Sequence, residues 1–245
     1  MLTDLHCHVL PGVDDGPATL EDALAMVRQA AADGIAVVCA TPHVRDDHDV
    51  RIGELAGRVA ELNAAAAGIP VTVVTGAEVA EPLLASLSDD ELRAASLGAG
   101  GRWILVEPRP GPLGDELHDA VRALGARGFR ALLAHPERHA GHDLADRLHD
   151  LVGAGALVQF TAALLADGPA AATMRGLAAQ GLVHVLGSDS HSARFGRPVR
   201  ISDGLAALAG VGRLRAHAGW IAQEAPAAIL RGDDLVAPYA ASGRS

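Results

Sequence analysis

MLTDLHCHVLPGVDDG, Met1 to Gly16, is the stretch on which the reading of the whole chain turns. A short apolar-flanked segment runs into His6-Cys7-His8. A Pro11-Gly12 turn follows, and the acidic pair Asp14-Asp15 closes on Gly16. Side chains alternate along a strand, so a strand ending here sends His6 and His8 to one face and Cys7 to the other. Two imidazoles on one face make a two-pronged nitrogen grip for a divalent cation. The rest of the chain is then expected to bring further ligands to this place.

Outward from that stretch, short apolar runs alternate with longer helical stretches. Strands are expected at Leu2–His6, Ile35–Ala40, Val71–Thr75, Trp103–Val106, Ala131–Ala134, Ala156–Phe160 and Val183–Gly187. Thr19 reads as the N-cap of a first helix, with Asp22 as a capping-box-like partner, and Leu20, Ala23, Leu24, Val27 and Ala31 recur at helical spacing. Further helices are expected over Val50–Ala67, Leu113–Arg127, Leu144–Gly153, Ala170–Gly181, Ser202–Ala209, Arg213–Glu224 and Ala225–Leu230. Seven β–α units without a break in composition predict a single α/β domain of barrel type over residues 1–232. Residues 233–245 read as a loosely held tail. An open doubly wound sheet is the alternative. The absence of a glycine-rich phosphate loop after the first strand weakens its nucleotide-binding version.

Metal-capable side chains fall just after these strands. His6 and His8 follow the first, His43 the second, Glu78 the third, Glu107 the fourth, His135 the fifth, and Asp189 and His191 the seventh. In a parallel barrel all strand C-termini open on one face, so residues scattered through the chain converge there. Mixed imidazole and carboxylate is the ligand chemistry of zinc, manganese or iron. With Asp15 the set reaches nine, more than one ion uses, which argues for two or three ions. Asp14 competes with Asp15 for its place. His139, close after His135, is ambiguous, and the other histidines read as solvated or packing residues.

Arg138 and Arg197 stand close to these ligands in sequence. A guanidinium beside a metal cluster suits a phosphate, which it grips through two parallel hydrogen bonds. Arg45 and Arg194 are weaker candidates of the same kind. A competing motif is Cys39-x5-Arg45, the spacing of cysteine-dependent phosphatases. Its loop has no glycine, Pro42 removes an amide donor, and Cys39 ends a buried-looking apolar run that would raise its thiol pKa.

Bulk properties narrow the function further. Hydrophobic residues are 49% and charged residues 20% of 245, the composition of a folded globular chain. A net charge of −10 disfavours a duplex-binding surface, and 2% aromatics leaves little for base stacking. No apolar run is long enough to span a bilayer, and no signal-peptide pattern stands at the start. Cys7 and Cys39 as the only cysteines point to a reducing cytoplasm.

Together, D-L-H-C-H-V-L-P-G-V-D-D-G, A-T-P-H, G-A-E-V, L-V-E-P, A-H-P-E-R and G-S-D-S-H, in this order from Asp4 to His191, resemble the polymerase-and-histidinol-phosphatase (PHP) superfamily. Within it, the P-G-V-D-D-G extension and the H-P-E-R motif resemble the bacterial tyrosine-protein phosphatases of capsule and exopolysaccharide loci. The resemblance implies a distorted seven-stranded (β/α) barrel with three divalent ions, commonly manganese, with iron or zinc as alternatives. It implies as ligands His6, His8, Asp15, His43, Glu78, Glu107, His135, Asp189 and His191, and as phosphate-binding residues Arg138 and Arg197. Where the family tends to have Gln-x-Asn after the sixth strand, this chain has Gln159-Phe160-Thr161. The implied reaction is attack of metal-activated hydroxide on a phosphomonoester. The implied substrate is a phosphotyrosine protein, the tail of a membrane tyrosine kinase of polysaccharide export. The alternatives are a small-molecule phosphatase of the histidinol-phosphatase type and a metal-binding regulatory module without turnover.

Overall fold

The computed structural model describes residues 1–139 and 141–239. In chain order the elements are β1 (Leu2–Cys7), α1 (Leu20–Ala32), β2 (Ile35–Ala40), β3 (His43–Val44), α2 (Leu55–Ala65), β4 (Thr72–Thr75) and β5 (Glu78–Ala80). Then come α3 (Asp89–Ala95), β6 (Trp103–Glu107), α4 (Asp115–Ala126), β7 (Arg130–Leu133), α5 (Leu144–Gly153) and β8 (Leu157–Thr161). The chain continues through α6 (Ala162–Ala166), α7 (Ala171–Ala179), β9 (Val185–Gly187), α8 (Ser202–Ala209) and α9 (Ala225–Arg231).

All strand pairs are parallel, in the orders β1-β2-β4 and β3-β5-β6-β7-β8-β9. The sheet curls back on itself. Asp189 N donates to His6 O (2.8 Å) and His8 N to Ser190 O (2.9 Å), so the backbone after β9 lies against the end of β1.

Seven strands were expected, and the described residues form nine segments. The extra ones, β3 and β5, carry on from β2 and β4 after two-residue interruptions at Thr41-Pro42 and Gly76-Ala77. Pro42 has no N–H to give a ladder, although its carbonyl still accepts from Glu78 N at 3.0 Å. At Gly76 the chain passes so close to β2 that a Cβ would sit 2.6 Å from Cys39 Sγ. These interruptions deliver His43 and Glu78, which pair in register on β3 and β5.

Strand alternation sorts the core into two clusters. Leu5, Trp103, Leu105, Leu132, Leu157 and Val185 pack inside the curl with Ala225 and Ile229 of α9. Ile104, Val106, Ala131, Leu133, Val158 and Phe160 face outward, under the helices. Helix α1 shows how the outer layer is attached. Ala23, Met26, Val27 and Ala30 are buried, and Thr19 caps the first turn by accepting from Asp22 N at 3.2 Å.

Two expectations about the C-terminal region are corrected. The helix expected at Arg213–Glu224 is a 3-10 segment, Gly212–His217, followed by a π-helical turn, Trp220–Glu224. Residues 233–239 are not a loose tail. Trp103 Nε1 donates to Asp233 O (2.9 Å), Arg102 pairs with Asp234 (2.9 Å), and buried Tyr239 donates its hydroxyl to Val183 O (2.5 Å). The reason is apolar area, because Tyr239 is buried in the outer apolar cluster and lies edge-on to Trp220 at 5.4 Å. Residues 240–245 of the expected tail lie outside the described residues. Among the described residues, no helix is long and apolar enough to cross a membrane.

Candidate metal centre

At the C-terminal ends of the strands, Glu78 is the hub. Its carboxylate is fully buried. Oε2 lies 3.3 Å from His6 Nε2, 3.3 Å from His8 Nε2 and 3.0 Å from His43 Nδ1, while Oε1 lies 2.7 Å from His135 Nε2. Asp189 Oδ1 is 3.5 Å from His6 Nε2 and 3.8 Å from His8 Nε2. Glu107 Oε2 is 3.6 Å from His43 Nδ1. Asp15 Oδ1 is 3.3 Å from His191 Nε2 and 3.7 Å from His43 Nε2. The nine side chains fall into four overlapping groups: His8-Asp15-His43-His191, His6-Glu78-His135, His6-His8-Asp189 and His43-Glu78-Glu107.

Metal ions fit this arrangement better than hydrogen bonds do. Despite the short distances, Glu78 Oε2, His43 Nδ1 and His135 Nδ1 are buried without a hydrogen-bond partner. Buried polar atoms are ordinarily satisfied. Several lone-pair-bearing atoms aimed at common points are the donor set of divalent-cation sites.

The ring orientations are set from behind. His6 Nδ1–H donates to Gln159 Oε1 (2.8 Å) and His8 Nδ1–H to Asp14 Oδ2 (2.7 Å). Because both acceptors are oxygens, the proton is held on Nδ1 and the Nε2 lone pair is turned into the cluster. Asp14 also accepts from His43 N (3.0 Å) and Gly16 N (3.1 Å). Fully committed in this way, it is an orienting residue, and it leaves Asp15 as the one of the pair that faces the cluster. Asp4, beneath them, accepts from His6 N (3.1 Å) and Ser188 N (3.0 Å) and so ties β1 to the β9 loop.

Electrostatics follow the same layout. Burial opposes charge on His8, but Asp14 and Glu78 outweigh it and lift its pKa to about 10, so a cation bound at Nε2 would take the place of a proton there. Burial pushes Asp14 up, and the His8 ring overrides that and holds it at about 2. Glu78 is likewise buried, yet His6, His135 and His43 hold it well below the usual carboxylate range. Glu107 is raised, by burial and by the neighbouring Glu78 charge.

Two ligand candidates carry left-handed backbone, His135 at φ 36° and Asp189 at φ 50°. They are the only non-glycine residues with positive φ among the described residues. Such conformations cost of order 1–3 kcal/mol and persist where surrounding structure imposes them. Both arginines converge on Asp189. Arg138 NH2 pairs with Oδ2, Arg197 NH2 reaches the same oxygen at 3.0 Å, and Arg197 Nε donates to Asp189 O (2.8 Å).

The remaining candidates fall outside the cluster. His139 donates to Gly111 O (2.9 Å) and fastens the proline-rich loop after β6. Arg194 pairs with Asp22 (2.7 Å), while Arg45 pairs with Asp47 (2.7 Å) and reaches Glu107 at 3.4 Å. Cys39 is buried, which pushes its thiol up to about 12, and Arg45 is directed to carboxylates. Thr161 is buried; its N–H donates to Glu137 Oε1 (3.0 Å), and its hydroxyl has no partner. The orienting roles of Asp4, Asp14 and Gln159 were missed from sequence. A signal was present, since Asp4 shares the parity of His6 and His8 on β1.

The chain is similar in sequence to two curated proteins and in fold to a solved structure. CapC of Staphylococcus aureus is 26% identical over 201 residues, covering 78% of this chain and 77% of that protein. The tyrosine-protein phosphatase YwqE of Bacillus subtilis (strain 168) is 28% identical over 203 residues, covering 79% of this chain and 78% of its own. A crystal structure from a study of YwqE from Bacillus subtilis and CpsB from Streptococcus pneumoniae, described as unique metal-dependent tyrosine phosphatases, matches with a TM-score of 0.79. It is 25% identical, and the match covers 96% of each chain. Residues 2–216 match the family model described as capsular polysaccharide synthesis, CpsB/CapC. With the match spanning nearly the whole curl and every residue of the candidate centre, the chain belongs to the CpsB/CapC family.

Proposed function

We propose that this protein is a metal-dependent protein-tyrosine phosphatase whose centre holds three divalent ions, manganese first, with iron or zinc also suited to the same donors. The observation that carries this reading is Glu78 Oε2, a buried carboxylate oxygen with imidazole nitrogens of His6, His8 and His43 around it and no hydrogen bond of its own. His6, His8, Asp15, His43, Glu78, Glu107, His135, Asp189 and His191 are the ligands. The seven β–α units are read as a distorted PHP-type barrel, with β2/β3 and β4/β5 each one interrupted stave.

Divalent ions in such a centre supply acidity that generates a nucleophile from water near neutral pH, and positive charge for phosphoryl oxygens. The chain's own residues do the rest. Gln159 and Asp14 keep His6 and His8 turned inward. Arg138 and Arg197, both partly open to solvent, grip the phosphoryl oxygens and offset the charge that develops on them. A tyrosyl leaving group has a pKa of about 10, so it departs without a dedicated acid. Beside Glu107 a cavity of about 360 Å³ opens between Arg45, Ala80, Leu83, Pro108 and Pro110, room for an aryl group next to the centre.

The natural substrate is read as a phosphotyrosine protein, the tail of a tyrosine kinase of polysaccharide export, met in the cytoplasm. The family membership and the naming of YwqE as a tyrosine-protein phosphatase support this. The test combines elemental analysis of purified protein with turnover of a phosphotyrosine peptide, with manganese and with chelator. Bound divalent metal and chelator-sensitive turnover are expected. Arg138→Ala should keep its metal while kcat falls by about two to three orders of magnitude. Full turnover in chelator would refute the metal reading, and preference for histidinol phosphate over the peptide would move the protein to the small-molecule alternative.

A further inference from the structure

The loop between His191 and Val199 carries one group used neither by the core nor by the metal centre. Phe195 is 77% exposed, whereas the other phenylalanines, Phe129 and Phe160, are buried. Isolated apolar residues on a surface are ordinary. What distinguishes this one is the frame that holds it.

Helix α1 fastens the loop from below. Gln29 Nε2 donates to Ala193 O (2.6 Å) and Gln29 Oε1 accepts from Val199 N (3.3 Å). Asp33, at the end of α1, accepts from Ile201 N (2.8 Å) and Ser202 N (3.1 Å). On either side of the ring, Arg194 N donates to Ser192 Oγ (3.1 Å), the Arg194 guanidinium pairs with Asp22 (2.7 Å), and Ser190 Oγ donates to Arg197 O (2.7 Å). Gly196, at φ +75°, makes the bend that only glycine takes easily. The ring therefore stands on a fastened frame, two residues from Arg197, so their Cα atoms are at most about 7 Å apart.

We infer that Phe195 is a specificity-determining residue, packing against the side chain next to the phosphotyrosine in a polypeptide substrate. This rests on the phosphatase reading and adds that the rim of the site selects protein over small phosphomonoesters. Aromatic anchors held in place before binding contribute strongly to recognition, because they cover much apolar area and lose little freedom. A phosphomonoester with no chain on either side has nothing to place against an exposed ring two residues from Arg197.

The test measures kcat/KM of the metal-loaded enzyme for a phosphotyrosine peptide with apolar flanking residues and for p-nitrophenyl phosphate. Phe195→Ala should lower the ratio of the two constants roughly three- to tenfold, through the KM of the peptide, and Phe195→Trp should restore it. An unchanged ratio would overturn the inference. So would an equal fall on both substrates, or a shift in sedimentation showing that the ring instead covers a second copy of the chain. A wild-type enzyme that hydrolyses p-nitrophenyl phosphate and not the peptide would defeat the protein-phosphatase reading itself, a result distinct from all of these.

Discussion

His6 illustrates what a single residue needs in order to serve in the centre. Its place on β1 aims the ring inward, but only the hydrogen bond from Nδ1 to Gln159 Oε1 commits the Nε2 lone pair to the cluster. Gln159→Leu removes that acceptor without removing a ligand. The expected outcome is a 10- to 100-fold loss of metal affinity in a folded protein, read by titration calorimetry of the metal-free form. Unchanged affinity would assign the orientation of His6 to packing alone. The Asp14-Asp15 pair teaches the same lesson. From sequence either could face the metal, and the difference lies in where their neighbours' donors point, since Asp14 receives His8 Nδ1, His43 N and Gly16 N together. Likewise, nothing in A-H-P-E-R or G-S-D-S-H announces the left-handed backbone of His135 and Asp189.

Helix α1 does two jobs at the scale of the element. Its inner face packs on the curl, and its side chains Gln29 and Asp33 hold the loop that carries Arg197. Its start was legible, because Thr19 with Asp22 before an apolar helical repeat is a cap with a mechanism. Thr19→Ala should cost about 1 kcal/mol, seen as a lower urea midpoint with an unchanged slope. No change in midpoint would make the cap dispensable. Helix α3 went unread although its signal was equally local. Ser88 and Glu91 form a reciprocal capping box, but the helix runs only from Asp89 to Ala95, too short for apolar periodicity to register. The strand interruptions were illegible for another reason. Pro42 and Gly76 could each have ended a strand, and that the chain resumes as β3 and β5 depends on their pairing with each other and with β6.

At the scale of the whole molecule, the curl is divided in chemistry. One end gathers charge for metals; the rest of the interior is apolar, with Ala225 and Ile229 of α9 packed on Leu5, Trp103 and Leu157. Outside it Tyr239 stands edge-on to Trp220 at 5.4 Å and beside His184. His184 is buried and its Nδ1 accepts from Val158 N (3.1 Å), an acceptor that protonation would remove. Burial lowers its pKa from 6.5 to about 4. Above pH 6.5 neither folded nor unfolded chain protonates it, and its contribution to stability is intact. As pH falls from 6.5 towards 4 the unfolded chain takes up the proton first, and up to about 3 kcal/mol is lost. Urea midpoints of the wild type should therefore drop across that window more steeply than those of His184→Gln. Parallel profiles would show that other groups set the acid limit.

What the sequence determined by itself is the alternation of strands and helices, the single parallel α/β domain, and the identity of the side chains that gather at one end of it. Those are consequences of local periodicity and of a rule of topology, that parallel strands joined by crossovers end on the same face. Tertiary structure alone decided which of Asp14 and Asp15 faces the cluster, which tautomers His6 and His8 adopt, where the left-handed residues fall, and that residues 233–239 are packed against the curl. Each of these is settled by a donor, an acceptor or an apolar surface supplied from a distant part of the chain. No periodicity along the sequence encodes the distance between atoms that meet only after folding.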